Sequence, residues 1–393
     1  MKQFILNSLL SIFLVCTTSL SFAATTPTAS SNTPDNQIID TTANKLMQEY
    51  KVPVVSITIF DNNKIVYAKA YSIDPSIHPN IDSFFQPASI GKSLTAFGTL
   101  LLAQHEHLDL DQDINDELHS WAVPDNDYTK HEKVTMRNIM NMTSGLSVSG
   151  FGGYSPQQPL PSLIQILNGT PPANNQPVRV FYTPGSRYYY SGGGYEVLQQ
   201  LVQDHAQTSF ANTMQKTVLG PLHLINTYEA PSVPDNVSSR IIPAFLDAQH
   251  PISGGWRRMP ETGAAGGWTT PTDLAQFAIA INQSYQGKGL LSQALTQQML
   301  TRSDAKSGTP NGDMGLGFVV NGSGNTLNFR KQGHNTGYRN WLISFPNSGQ
   351  GMVIMTDSET AMPLLQQLIK VVGEQYHWPI YYPIVDESEF VPA

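Results

Sequence analysis

The chain has 393 residues, 40% hydrophobic and only 13% charged, so it can bury a large core and is too apolar to be disordered. Its 30 glycines and 27 prolines suit a loop-rich globular enzyme and exclude a fibre or coiled coil. A net charge of −8 with no dense Lys/Arg run argues against a nucleic-acid partner, so any basic site must be local, as a few placed lysines meeting an anionic substrate would be.

Residues 1–23 read as a signal peptide. Lys2 supplies the positive start, Phe4 to Val15 is mostly apolar, and Ser21-Phe22-Ala23 is a small-x-small cleavage site. Asn7, Ser8 and Ser11 interrupt a run already short for a span of about 20 residues. The expectation is a bacterial periplasmic or secreted protein with no stable membrane anchor after cleavage. Cys16 is the only cysteine and would leave with the signal, which removes disulfides, Cys-ligated metals and a Cys nucleophile.

Residues 24–36 form a Thr/Ser/Pro/Asn-rich linker, and 37–383 read as the folded domain, followed by a tail at 384–393. Ile38, Ile39, Leu46 and Met47 recur at near-helical spacing. Segments 54–60 and 64–71 are β-rich runs joined by Asp61-Asn62-Asn63, a hairpin pattern. A strongly apolar helix follows Ser89. From about 110 to 310, short helical patterns alternate with Gly/Pro-rich loops, and Thr270-Pro271-Thr272-Asp273 marks one helix start. Strand patterns return at 315–320, 326–333, 340–345 and 351–357, and 363–376 reads as a last helix. This order is not βαβ alternation. It predicts an α+β fold: an antiparallel sheet built from both chain ends, flanked by helices, with a mainly helical region inserted.

Two hydrolase signatures are missing, G-x-S-x-G and H-E-x-x-H. His105-Glu106-His107 looks metal-like but ends an apolar helix, so a solvated helix end is the better reading. Ser89-Ile90-Gly91-Lys92 is different. Positions i and i+3 share one helix face, about 5–6 Å apart at Cβ, so the lysine can reach the hydroxyl. A free serine is a poor nucleophile, and a lysine whose pKa is lowered by burial or a nearby cation can take its proton. Ser303-x-x-Lys306 repeats the spacing, but in a polar loop, whereas Ser89 opens a core helix near its positive end. Tyr190-Ser191-Gly192 lies in a glycine-rich loop that can aim Tyr190 at the serine. Two neighbouring lysines would favour its phenolate and make it a usable base. Lys331-Gln332-Gly333 ends a strand. There Lys331 can lower the pKa of Lys92 or Tyr190 or hold a substrate carboxylate, and Gly333 would let substrate lie against the strand.

Ser89-x-x-Lys92, Tyr190-Ser191 and Lys331-x-Gly333, in this order, resemble the three boxes of the serine β-lactamase and DD-peptidase superfamily. The pattern is closest to the class C-like branch, which includes esterases and D-aminopeptidases. Segment 134–147, KQGHNTGYR, ISFPNSGQGMVIMTDS and AAGGWTTPTDLAQFA resemble further family segments, so the likeness runs from about 40 to about 376. The resemblance implies a β-lactamase/transpeptidase-like fold and a serine hydrolase that works through an acyl-enzyme without metal or organic cofactor. Ser89 would be acylated, Lys92 and Tyr190 would share proton transfer, and Lys331 would face substrate. The backbone amides of Ser89 and His334 would form the oxyanion hole.

Three departures bear on substrate. Gly192 stands where the second box usually has Asn. Gln332 stands where the third often has Thr or Ser, removing a hydroxyl that would contact a carboxylate. A shifted register would give His334 the place of Lys331, but with Lys331 in place NTGYR aligns with the family's NxGFR continuation. The substrate remains open between a β-lactam, a D-amino peptide and a small ester or amide. The rival from another class is a catalytically degenerate member that binds peptidoglycan fragments or a protein partner. The loop at 149–161 is a candidate to line or cover the site.

Overall fold

The computed structural model describes residues 34–303, 308–309 and 312–380. The expected signal peptide, most of the linker, the tail and Lys306 lie outside the described residues. Helix α1 (Asn36–Tyr50) takes the last residue of the expected linker. Asp35 caps it by accepting the Gln37 amide, and Lys51 closes it in the left-handed conformation. The hairpin β1 (Val54–Asp61) and β2 (Lys64–Ser72) turns through Asn62 and Asn63, both at positive φ, where asparagine is among the better-tolerated residues. Helix α2 (Gly91–Glu106) follows a tight turn at Ala88–Ile90 and ends on a left-handed His107, with His105 exposed against Glu106.

The middle carries α3 (Met136–Met140), α4 (Leu163–Asn168), α5 (Gly192–Ala206) and α6 (Phe210–Met214), then a small β3 (Phe245–Asp247)/β4 (His250–Pro251) pair. Helix α7 (Pro271–Tyr285) starts as the sequence predicts, with Thr270 accepting the Asp273 amide and Pro271 at the first helical position. Helix α8 (Gln293–Met299) precedes β5 (Gly308–Thr309), β6 (Gly312–Met314), β7 (Val319–Asn321), β8 (Asn328–Asn335), β9 (Tyr338–Phe345) and β10 (Gln350–Thr356). Helix α9 (Met362–Gln375) is the last element among the described residues. The expected strand at 315–320 shrinks to β7 because Gly315 and Gly317 cannot carry it. Gly317 has a positive φ, and a Cβ on Gly315 would meet the Met299 carbonyl at 2.3 Å.

All eight strands of the main sheet pair antiparallel in the order β2-β1-β10-β9-β8-β7-β6-β5, so the first hairpin docks on the last strand. This is the α+β architecture expected from strand patterns at both chain ends. Strand alternation divides the core into two layers. Val55, Ile57, Ile59, Ile343 and Ile354 pack with α1 and α9. Val54, Phe60, Phe329, Leu342 and Val353 face the helical region, where α2 and α7 lie. Lys331 and Gly333 share the face of Phe329, which turns them towards α2. No helix among the described residues is long and apolar enough to cross a membrane.

Helix α9 presents Leu364, Leu365, Leu368, Ile369 and Val372 to the sheet, the stripe an amphipathic helix needs. Leu368 is fully buried. Leu368→Ala should therefore cost about 2–4 kcal/mol of stability, read as a lower urea midpoint with an unchanged slope.

Candidate active site

Between Ser83 and Leu101 every residue is buried except Ser89, which is partly exposed. The chain reaches it through Ala88, held at φ 52, a left-handed conformation that costs a non-glycine residue about 1–2 kcal/mol. Two hydrogen bonds pin the approach: Asn340 Nδ2 donates to the Gln86 carbonyl at 2.8 Å, and Asn335 Nδ2 to Gln86 Oε1 at 2.8 Å. Strand β8 is pressed against the same turn. A Cβ on Gly333 would stand 2.1 Å from the Pro87 carbonyl and 3.3 Å from Ala88 Cβ, so only glycine fits. The peptide preceding His334 thus lies beside the one preceding Ser89.

Two side chains converge on Ser89, and a third stands beside one of them. The Tyr190 hydroxyl donates to Ser89 Oγ at 2.7 Å, and Lys92 Nζ lies 3.3 Å from the same oxygen. Lys331 Nζ stands 5.1 Å from the centre of the Tyr190 ring, and Lys92 Nζ stands at the same 5.1 Å. Tyr190 is aimed by the start of α5. Its N-cap Ser191 accepts the Gly194 amide at 2.9 Å and donates to the Ser147 carbonyl at 2.9 Å. Both lysines are buried, Lys92 at 2% exposure and Lys331 at 1%. Desolvation is the main cause that moves the Lys92 amine below its usual range. The Tyr190 hydroxyl opposes that shift, and the Lys331 charge adds to it.

The sequence-predicted residues divide accordingly. Ser89, Lys92, Tyr190, Lys331 and Gly333 come together. Gln332 and His334 fall on the opposite face of β8 by strand alternation. The His334 imidazole meets Glu359 at 2.8 Å, whereas Lys331 stands beside the Tyr190 ring. Ser303 is elsewhere, its hydroxyl donating to the Met314 carbonyl at 2.6 Å.

The Ala264 carbonyl is a partner that side-chain reasoning could not supply. It accepts from Lys92 Nζ at 2.6 Å. The 261–266 loop delivers it under restraint from three elements. Thr95 of α2 donates to the Gly263 carbonyl (2.8 Å), Gln199 of α5 accepts the Gly263 amide (2.6 Å), and Asn335 of β8 donates to the Ala265 carbonyl (2.9 Å). Behind the lysine lie two fully buried carboxyls, Glu196 and Glu261. Burial, with the Glu261 charge adding to it, pushes Glu196 well above the carboxylate range; Lys92 and the facing Ala264 and Gly263 amides only partly oppose this. Burial lifts Glu261 to about 7. Among the described residues, no cluster of three or more His, Cys, Asp or Glu side chains could hold a metal ion.

An α+β sheet with a Ser-Lys-Tyr cluster beside an inner strand defines a protein of the serine β-lactamase/transpeptidase-like superfamily. The chain belongs to the beta-lactamase family, whose model matches residues 39–375. Protein flp of Staphylococcus aureus is 24% identical over 197 residues, a stretch that covers 49% of this chain and 38% of that protein. The match therefore spans well under half the length of that relative. Solved structures share the fold, among them the following two. A D-amino acid amidase from Ochrobactrum anthropi SV3, complexed with L-phenylalanine amide, gives a TM-score of 0.70 at 17% identity, over 86% of this chain and 98% of that one. A beta-lactamase/D-alanine carboxypeptidase from Yersinia pestis gives 0.64 at 18% identity, over 86% and 98%.

A carboxyl whose folded pKa is raised binds a proton the unfolded chain releases, so its contribution is full below the unfolded value and lost as pH rises through the folded one. For Glu261 that window runs from 4.5 to about 7. Stability should fall across it, and Glu261→Gln should flatten the fall by about 1–3 kcal/mol between pH 5 and pH 8. Urea unfolding of both proteins at the two pH values checks this, and the comparison cancels the titrating groups that do not interact with Glu261.

Proposed function

We propose that the chain is a serine acyl hydrolase that forms an acyl-enzyme on Ser89. The observation that carries this reading is the placement of a buried lysine and a tyrosine hydroxyl on one partly exposed serine oxygen. With Lys92 neutral, the Ser89–Lys92 contact runs with Oγ–H as donor. The proton passes to Lys92 Nζ, directly or through the Tyr190 oxygen, while Oγ bonds to the substrate carbonyl carbon. The negative oxygen that forms is met by the backbone amides of Ser89 and His334. Collapse breaks the bond to the leaving nitrogen or oxygen, which takes its proton back from the Lys92–Tyr190 pair. Water then repeats the sequence on the ester, with the same pair as base.

Lys331 places an amine at the edge of this cluster, and its ammonium form would favour a substrate carrying a carboxylate. The substrate classes that fit are a D-amino peptide or amide, a small ester, and a β-lactam. The amidase and carboxypeptidase neighbours support the first of these. Gly192 and Gln332 weigh against efficient β-lactam turnover, because neither supplies the side chain this family usually places there. We also propose export to the periplasm or medium, supported by the signal-like residues 1–23.

Intact-protein mass spectrometry after treatment with a fluorophosphonate and with a penicillin tests this reading. The native chain should gain the mass of one adduct and Ser89→Ala none, while Lys92→Met and Tyr190→Phe should label about 10²–10⁴-fold more slowly. Labelling that persists in Ser89→Ala would remove Ser89 as nucleophile.

A further inference from the structure

Gly192 has a neighbour that the sequence pattern does not reveal. Ser191 is extended (φ −133, ψ 111), so residues 190 and 192 project to the same side of the chain while Ser191 turns inward to cap α5. Tyr190 uses that side to reach Ser89. At Gly192 the same side is taken by a phenyl ring: Phe151 Cε2 and Cδ2 lie 3.0 and 3.5 Å from where a Gly192 Cβ would stand. The missing side chain is therefore replaced by an aromatic carbon surface, delivered from a different segment of the chain.

That segment is the 149–161 loop, and it is held on both sides of the ring. Before it, the Ser149 carbonyl accepts the Gly192 amide at 3.2 Å and Val148 O accepts the Gly193 amide at 2.9 Å. After it, Tyr154 and Arg258 exchange both backbone hydrogen bonds at 2.9 and 2.8 Å. The Gly153 turn between ring and bridge has φ +66, and a Cβ there would meet Met259 Sδ at 2.5 Å. The 254–261 segment is tied in turn to the Ser89 approach, because Gln86 Nε2 donates to the Arg257 carbonyl at 2.6 Å. Phe151 is only partly buried. An aromatic surface held this way gains by covering hydrocarbon and offers no hydrogen bond to a polar group.

We propose that Phe151 is a specificity-determining residue, and that the site takes substrates with an apolar or aromatic group next to the scissile carbonyl. The inference rests on the serine acyl hydrolase reading and narrows its substrate class. An acyl group as small as acetyl or alanyl leaves the ring uncovered. A butyryl, leucyl or phenyl-bearing group buries it.

The test uses the full chain with p-nitrophenyl acetate, butyrate and phenylacetate, each kcat/KM divided by that ester's rate with hydroxide. The native protein should favour butyrate and phenylacetate over acetate by about tenfold or more. Phe151→Ala should cut that ratio about fivefold, and Phe151→Leu should keep most of it. Gly192→Ala should lower it too, since its methyl must displace the ring. A flat series in the native protein overturns the inference without any variant, as does a Phe151→Ala ratio equal to the native one. Fluorophosphonate labelling separates the two levels of failure. Labelling with a flat series rejects the role of Phe151 alone, whereas neither labelling nor turnover rejects the hydrolase reading and this inference with it.

Discussion

An amine taken out of water is the constraint on which the rest of the site depends. Lys92 is enclosed on the first turns of a helix that is buried all round, and burial disfavours its ammonium form more than any neighbour restores it. A lysine in water holds its proton at neutral pH and cannot act as a base. Enclosure lowers its hold on the proton, which the proposed role as base requires, and the enclosed amine still needs partners. The Ala264 carbonyl and Ser89 Oγ provide them, so the loop at 261–266 matters as much as the helix. Lys331 adds to the effect, and a neutral Glu196 is the state that leaves the cluster without a competing anion.

The fold holds these pieces at long sequence separation. Ser89 and Lys92 come from the chain's first third, Tyr190 and Ala264 from the helical middle, and Lys331 from a strand near the end. The sheet unites them because its first hairpin docks against its last strand, which sets β8 against the Pro87–Ala88 turn. Gly333 is where the constraint is tightest. Any side chain there would drive strand and turn apart, and with them the Ser89 and His334 peptide units proposed as the oxyanion hole.

The alternating and helical hydrophobic periods made most of the fold legible in the sequence. The hairpin at 54–72, the last three strands, α9 and the Thr270 cap all follow from local pattern. The strand pattern at 315–320 overreaches because two glycines inside an apolar run carry no sign of the turn they make. In the site, the local burial of the helix after Ser89 is what the sequence offers to separate it from Ser303; in the structure one hydroxyl meets Lys92 and Tyr190, the other a backbone carbonyl. What stayed hidden was contributed by backbone or by distant chain. The Ala264 carbonyl has no side-chain signature. Glu196 and Glu261 look like ordinary helix and loop acids until both are found buried behind one lysine. Phe151 is one aromatic residue in a glycine-rich loop, and only the three-dimensional contact with Gly192 gives it meaning.

The central claim is that burial moves the Lys92 amine below the usual lysine range, and its titration tests this most directly. In the full chain labelled with ¹³C at lysine Cε, the Lys92 resonance is identified by its loss in Lys92→Met. It should show the neutral amine already at pH values where the surface lysines are still protonated, with its midpoint below 10.5. A Lys92 signal that titrates together with the surface lysines, near or above that value, would contradict the account.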